Sequence, residues 1–203
     1  MYPNYRIIVA RHGNTFNPDE TPRRVGCMTD IPLVPLGRDQ ALRMGVHLRN
    51  YSLVPQRVVT SNLMRTKETA KLAADHLKAE IDERFDEIDY GPDENKPEDA
   101  VIDRVGYQAM DEWNERGVVP PGWLFDSSYA IKSWKDFADE TLKHGPHTVM
   151  VVTSNGIARF APYITDDFDS FAMNYEIKLA TGALGILEYV DGKWRVQGWN
   201  VRP

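Results

Sequence analysis

Thr148–Phe160 reads TVMVVTSNGIARF: an apolar, largely β-branched run stops at Thr153-Ser154-Asn155-Gly156, and apolar residues at helical spacing resume behind it. A run without polar alternation marks a strand covered on both faces, as in a parallel sheet, and Ser, Asn and Gly behind it supply turn chemistry and a helix N-cap. The ends of such strands are where open α/β sheets bind ligands. Near the start of the chain, Arg6-Ile7-Ile8-Val9-Ala10 repeats the pattern and closes on Arg11-His12-Gly13-Asn14. Two buried strands thus open into small polar turns.

Between them, Ala41, Leu42, Gly45, Val46 and Leu48 recur at three-to-four spacing, which predicts a helix over 37–48 leading into a strand at Arg57–Thr60. Ser61-Asn62 offers an N-cap to a helix from Leu63 to about Leu77, with Arg65 in its first turn. Helices are expected over 98–116 and 133–144, the second opened by Ser133 with Asp136 three residues on and closed by Gly145-Pro146. Two more are expected near 156–163 and 166–173. Asp191-Gly192 joins strands over 183–190 and 193–199 as a two-residue hairpin. Residues 17–36 form a long surface loop, 85–97 an acidic one and 117–123 a linker. The alternation predicts a three-layer α/β/α sandwich, its central sheet mostly parallel with an antiparallel C-terminal edge. The chain is expected to be one domain over 1–203, with 88–133 inserted over one edge as a small cap.

At 203 residues, 42% hydrophobic and 27% charged, the chain can bury a substantial core. A net charge of -6 argues against a nucleic-acid groove as the main business and leaves room for a local basic pocket that takes an anion. A single cysteine, Cys27, excludes an internal disulfide framework and a multi-thiolate zinc site, and suits a reducing compartment. MYPNYRIIVA lacks a cationic flank before a long apolar core, and no run approaches the about 18 apolar residues of a membrane span. We expect a cytoplasmic protein with no membrane or nucleic-acid partner; oligomeric state leaves no mark on the sequence.

Three groups of residues carry chemistry. A histidine at a strand's C-terminal end, beside Arg11 and a glycine that admits a ligand to the backbone, suits nucleophilic attack on a phosphoryl group. Arg65, in the first helical turn behind Ser61-Asn62, adds a cation where backbone N–H groups already favour anions. Glu87, within Phe85-Asp86-Glu87-Ile88-Asp89, suits protonation of a leaving oxygen, although position alone does not choose it over Asp86 or Asp89. Taken singly, each also reads as a turn histidine, a surface arginine or a solvated acidic loop.

Together, RHGNTF, GCMTDIPLVPLGRDQA, SNLMRTKETA and FDEIDYG resemble, in order and spacing, the histidine phosphatase superfamily, also called the phosphoglycerate mutase-like family. The resemblance implies that fold, with His12 as the nucleophile that becomes phosphorylated, Arg11 and Arg65 as phosphate clamps and Glu87 as proton donor. It implies no metal and no organic cofactor, and the sequence has no HExxH, Cys/His cluster or Walker-type loop. It also implies a phosphate-binding asparagine shortly after the histidine, at Asn14 or Asn17, with Asn17 preferred. In the loop Gly26-Cys27-Met28-Thr29 it implies Thr29 as a hydrogen-bond donor to substrate and Cys27 as a packed thiol.

One position departs from that pattern. In most of the family the strand corresponding to Val149–Val152 ends in Ser-His-Gly, and the second histidine binds phosphate; here Ser154 stands in its place. His144 and His147 precede the strand and belong at its far end, roughly 15 Å away at about 3.3 Å per residue. Ser154 can give one neutral hydrogen bond, with Asn155 and Gly156 behind it, but no charge. Arg159, Arg23 and Arg24 are the candidates to supply it. A serine-hydrolase role for Ser154 has no GxSxG elbow behind it, whereas a purely structural N-cap remains open.

The resemblance implies a phosphomonoester hydrolase acting through a phosphohistidine on a small phosphorylated metabolite. A phosphoglycerate mutase is the second reading, disfavoured because the segment after the Glu motif is short and acidic. The third is a pseudoenzyme that only grips a phosphorylated ligand, disfavoured because pure binding requires neither His12 nor Glu87. Trp113, Trp123, Trp134 and Tyr107 in the expected cap suit either stacking on a ligand or core packing, and core packing is preferred.

Overall fold

The structure, a computed structural model, describes residues 4–203; Met1–Pro3, part of the N-terminal stretch read above as leaderless, lie outside them. In chain order the elements are β1 (Tyr5–Arg11), β2 (Arg23–Arg24), α1 (Pro35–Asn50), β3 (Arg57–Thr60), α2 (Met64–Ala73), β4 (Glu80–Ile81), β5 (Lys96–Pro97), α3 (Glu98–Val105) and α4 (Tyr107–Arg116). There follow α5 (Ser127–His144), β6 (Thr148–Thr153), α6 (Asn155–Ala158), α7 (Phe168–Asn174), β7 (Leu184–Val190) and β8 (Lys193–Val201).

Six strands form one sheet in the order β4-β3-β6-β1-β7-β8. β4, β3, β6 and β1 run parallel, whereas β7 pairs antiparallel with β1 and β8 antiparallel with β7. The fold class read from the sequence is the one observed. Strand geometry explains why β1 carries no polar alternation: successive side chains point to opposite faces, and both faces are covered. Ile7 and Val9 enter a core with Trp134 and Phe137 of α5, while Ile8 and Ala10 enter one with Met44 and Leu48 of α1. β6 divides its residues the same way, Val149 and Val151 against Met150 and Val152. All six residues of β6 are buried. At Asp191-Gly192 both φ angles are positive, 52° and 79°, as a tight hairpin between twisted strands requires.

Several element boundaries differ from expectation. α5 begins at Ser127, where the Asp126 carboxylate accepts from Ser128 N at 2.9 Å; Ser133 is no cap but lies on the buried face with Ala130, Trp134 and Phe137. The helix expected over 98–116 is broken at Gly106, whose φ of 86° no helix accommodates. α2 ends at Ala73, four residues short of Leu77, and the single helix expected near 156–163 is one α turn followed by a 3-10 turn over Ala161–Thr165. The long loop is not featureless, since β2 pairs antiparallel with β5. Trp113, Trp123 and Trp134 are core residues as expected; Tyr107 is not, being 75% exposed at the start of α4. Among the described residues no helix is long and apolar enough to cross a membrane.

The turn after β1 is fastened to α1 by a crossing that only two glycines allow. A Cβ on Gly13 would fall 2.2 Å from the Gly37 carbonyl oxygen, and one on Gly37 would fall 2.1 Å from that of Asn14. Gly37→Ala must therefore push the two segments apart, and we expect a loss of about 1–3 kcal/mol, as for other overpacking changes. Urea unfolding should show it as a lowered midpoint at unchanged slope.

Candidate active site

Strand register brings the polar turns together. Arg11 lies opposite Thr153 and Thr60 opposite Val152, so β1, β6 and β3 end level at one edge of the sheet. The ladder runs one step further, His12 N donating to Thr153 O at 3.0 Å and Ser61 N to Val152 O at 3.3 Å. On the other flank Gly182 N donates to His12 O at 3.0 Å. His12, Ser61 and Ser154 thus stand in a row at the carboxyl ends of three parallel strands.

His12 is 5% exposed, and its Nδ1 lies 2.7 Å from the Gly13 carbonyl oxygen. A carbonyl only accepts, so Nδ1 carries the ring proton and Nε2 keeps its lone pair. Burial, and then the guanidinium groups of Arg65 and Arg11, hold the imidazole well below its ordinary value. It is a neutral imidazole with a fixed tautomer. Gly13 N donates to Thr69 Oγ1 at 3.1 Å, which ties this turn to α2.

Glu87, 6% exposed, lies against the turn after β6: its carboxylate accepts from Gly156 N at 3.2 Å and from its own neighbour Ile88 N at 2.9 Å. A Cβ on residue 156 would fall 2.1 Å from Glu87 Oε1, so glycine there is what admits the carboxylate. Thr153 Oγ1, donating to Phe85 O at 2.7 Å, and Asp86, accepting from Asn62 N at 2.7 Å, hold the rest of this loop onto the sheet edge. Of the acidic residues in the loop, Glu87 is the one buried beside His12's neighbours.

The two arginines are fixed by backbone carbonyls. Arg11 Nη1 donates to Leu179 O at 2.6 Å. Arg65 is fully buried and donates to Thr29 O at 2.8 Å, Gly26 O at 3.0 Å and Val25 O at 3.3 Å. Burial lowers both guanidinium values, and Glu87 is the strongest opposing influence on each. Arg11 Nε, Arg65 Nε and Ser154 Oγ are buried donors with no partner among the described residues. Ser154 holds the N-cap position of α6 with extended backbone, yet its hydroxyl caps nothing; it is 1% exposed.

Arg11, His12 and Glu87 border a cleft of about 560 Å³, whereas Arg65 and Ser154, both buried, are not among the residues that line it. Arg11, Arg23, Arg24, Arg159 and Lys178 line it against Glu20, Glu87 and Glu98, so the site is locally basic within an acidic chain. A larger groove of about 1100 Å³ runs along α5, α7 and β8 and contains none of the convergent groups. Asn14, Asn17 and Asn155 reach the cleft. Asn17 is exposed at its rim with Nδ2 on Glu20 at 3.0 Å, and Asn155 Oδ1 accepts from Leu179 N at 2.9 Å. Thr29 does not line the cleft; its part is the carbonyl that holds Arg65. Cys27 is half-buried, donates its N–H to Ile88 O at 3.1 Å, and has its thiol pushed up to about 11, chiefly by burial and then by Asp89 and Glu94.

Arg159 is 2% exposed and stacks over Trp113 at 3.7 Å, with Nη1 on Trp113 O at 2.5 Å and Nε on Asn155 O at 3.2 Å. Sequence reasoning missed Lys178, which follows α7 in a stretch without periodicity and lines the cleft. It also missed Tyr90, whose ring forms part of the cleft wall and underlies Arg24. Among the described residues no group of three or more His, Cys, Asp or Glu side chains is placed to hold a metal ion.

Comparisons with known proteins bear on the family and the fold. Residues 7–202 match the sequence pattern of the histidine phosphatase superfamily (branch 1). A "Probable phosphoglycerate mutase GpmB" of Enterobacter sp. (strain 638) is 25% identical over 201 residues, covering 97% of this chain and 90% of that protein. Among solved structures, a mycobacterial glucosyl-3-phosphoglycerate phosphatase complexed with VO3 superposes with a TM-score of 0.80 at 22% identity, covering 97% of this chain and 99% of the other. A phosphoglycerate mutase from Bacillus anthracis str. Sterne also gives 0.80, at 21% identity, over 98% and 94% of the two chains.

Folding strips His12 of the proton that the unfolded chain binds below pH 6.5, since its folded value is the lower of the two. Stability must then fall as pH drops from 6.5 toward the folded value, by at most about 1.4 kcal/mol per pH unit from this one group. Urea-unfolding free energies should decline more steeply between pH 6.5 and 5 in the wild type than in His12→Gln. Parallel profiles would contradict a neutral buried imidazole.

Proposed function

Because this chain belongs to the histidine phosphatase superfamily (branch 1), we propose that it hydrolyses phosphomonoesters of small metabolites through a phosphohistidine. The observation that carries this reading is the His12 ring itself: buried, neutral, its proton held on Nδ1 by the Gly13 carbonyl, at the edge of a basic cleft. Nε2 attacks phosphorus as the bond to the ester oxygen breaks, and Glu87, as general acid, delivers a proton to that oxygen. Water then attacks the phosphohistidine, Glu87 takes a proton back, and inorganic phosphate leaves. Arg11 and Arg65 receive the phosphoryl oxygens, which fits their unpartnered Nε atoms, and Ser154 adds a neutral donor.

In this reading Arg159 brings the charge that Ser154 lacks. Its Nε bonds the carbonyl of Asn155, one residue beyond Ser154, and its guanidinium lies on the cleft wall. Arg24 is engaged by Glu98, and Arg23 is exposed with Nη1 3.4 Å from Asn95 Oδ1, which leaves both less suited to the role. The segment 88–133 serves as a cap, contributing Tyr90, Glu98 and Asn114 to the cleft. Asn14, Asn17 and Asn155 stand where they can donate to phosphate; Thr29 acts only through Arg65. The substrate is a small phosphate ester, and none of the steps calls on a metal or organic cofactor.

Mutase activity is the reading that the name of the Enterobacter relative favours. A coupled assay separates the two: interconversion of 2- and 3-phosphoglycerate faster than release of phosphate would overturn hydrolysis. Brief mixing with a reactive phosphate ester should trap acid-labile, base-stable phosphate on the protein. His12→Ala should lose this label and roughly a thousandfold or more of the turnover, as removal of a nucleophile does. Retained phosphatase activity in that variant would sink the mechanism. Glu87→Gln should slow alkyl esters by about 10²–10⁴ and aryl esters with good leaving groups far less.

A further inference from the structure

The segment read as a cap holds a buried ion pair that takes no part in the transfer just described. Asp93, in the turn behind Tyr90, is 2% exposed, and its carboxylate accepts from Arg104 Nε at 2.6 Å, from Arg104 Nη2, and from the indole Nε1 of Trp123 at 2.6 Å. Arg104, on α3, also donates through Nη2 to Pro121 O at 2.9 Å. One carboxylate therefore joins the loop that carries Glu87, helix α3 and the linker before α5. The linker is drawn in close: Leu124 N donates to Asp89 O at 2.9 Å, and a Cβ on Gly91 would fall 2.4 Å from Gly122 O. Neither Asp93 nor Trp123 lines the cleft, yet a route leads there. The Trp123 ring meets Trp113 edge-on with 5.1 Å between centroids, and the Arg159 guanidinium lies over Trp113, 3.7 Å from its centroid, while bonding its carbonyl.

We propose that Asp93 is a positioning residue of the phosphate site: by holding the Trp123 indole it sets Trp113, and Trp113 sets where the Arg159 guanidinium stands in the cleft wall. The inference rests on the reading above in which Arg159 brings the charge that Ser154 lacks. Stability alone is a weak reason for a buried ion pair, because well-packed apolar residues of similar volume serve as well or better. What they cannot reproduce is direction. Packing leaves an aromatic ring several arrangements of similar energy, whereas a short bond from its N–H to a fixed carboxylate selects one. Burial works against the charge on Asp93, and Arg104 followed by Trp123 more than offsets it, so the carboxylate stays ionised and its bonds are charge-assisted. Arg159 has the complementary need: its guanidinium is buried against an aromatic face and two carbonyls, with no carboxylate to orient it.

The test is a double-mutant cycle on the full chain, read as affinity for inorganic phosphate by calorimetric titration at low salt, so that no turnover is needed. Arg159→Met should weaken phosphate about tenfold, the factor expected of one charge-assisted contact. Asp93→Asn keeps the size of the side chain and drops its charge; Trp123→Phe keeps an aromatic ring and drops the N–H. Each should weaken phosphate several-fold, and neither should weaken it further in the Arg159→Met background. Urea unfolding establishes that the variants are folded, and Trp123→Phe carries the cycle if Asp93→Asn is not. A lowered urea midpoint with wild-type phosphate affinity in both variants would overturn the assignment and leave Asp93 a stabiliser of the fold. Effects that multiply with that of Arg159→Met would overturn it as well, since Asp93 would then act by another route. If Arg159→Met binds phosphate as the wild type does, the role given to Arg159 fails and this inference with it. If the wild type binds no phosphate, both fall with the phosphate site. The expected cycle without hydrolysis of any ester would overturn only the hydrolase reading.

Discussion

The parallel pairing of β1 with β6 is the constraint on which the site depends. It places Arg11 level with Thr153, and one further hydrogen bond carries the match to His12. Had either strand slipped by one residue, every side chain on it would exchange faces, and the core residues Ile7 and Val9 would meet α1 in place of α5. The apolar packing on both faces therefore fixes the register, and the register fixes the turns. Gly156 then admits Glu87, and Gly13 with Gly37 locks the histidine turn to the first helix. Positioning to a fraction of an ångström comes from residues that carry no chemistry of their own.

The electrostatics follow from where these turns sit. A chain of net charge -6 concentrates cations at one sheet edge, with Arg65 and Arg159 fully buried. Burying guanidinium groups is costly unless they are paired and hydrogen-bonded. Arg65 spends its donors on three carbonyls of the 25–29 loop, and Glu87 opposes the effect of burial on both Arg11 and Arg65. The same cations lower His12, so one cluster both prepares an anion site and keeps the adjacent imidazole uncharged.

What could be read from the sequence divides along physical lines. Continuous apolar runs and strand-end turns gave β1, β3 and β6 almost to the residue, because double burial leaves an unmistakable composition. Turn chemistry gave the 191–192 hairpin. Convergence of Arg11, His12 and Glu87 at one edge followed from those strands and from four motifs in order. The start of α5 was hidden because Asp126-Ser127-Ser128 resembles a loop until its cap is seen, and Ser133 mimicked a cap while lying on the buried face. The break at Gly106 rests on a backbone angle that no periodicity reports. Lys178 and the Arg24–Glu98 contact come from segments 80 and 74 residues away from, respectively, Glu98 and Arg24, and long-range juxtaposition of that kind leaves no local pattern.

The raised value of Cys27 bears on how this protein meets oxidants. A thiol pushed up to about 11 is thiolate in roughly one molecule in ten thousand at pH 7, and the thiolate is the form that attacks peroxides and disulfides. The acidic loop that brings Glu87 to the sheet edge also brings Asp89 and Glu94 near the sulfur. A smaller thiolate fraction slows sulfenylation and glutathionylation at the one cysteine of the chain, which is half-buried. The carboxylate-rich segment that carries Glu87 thus adds to burial in keeping Cys27 in its thiol form.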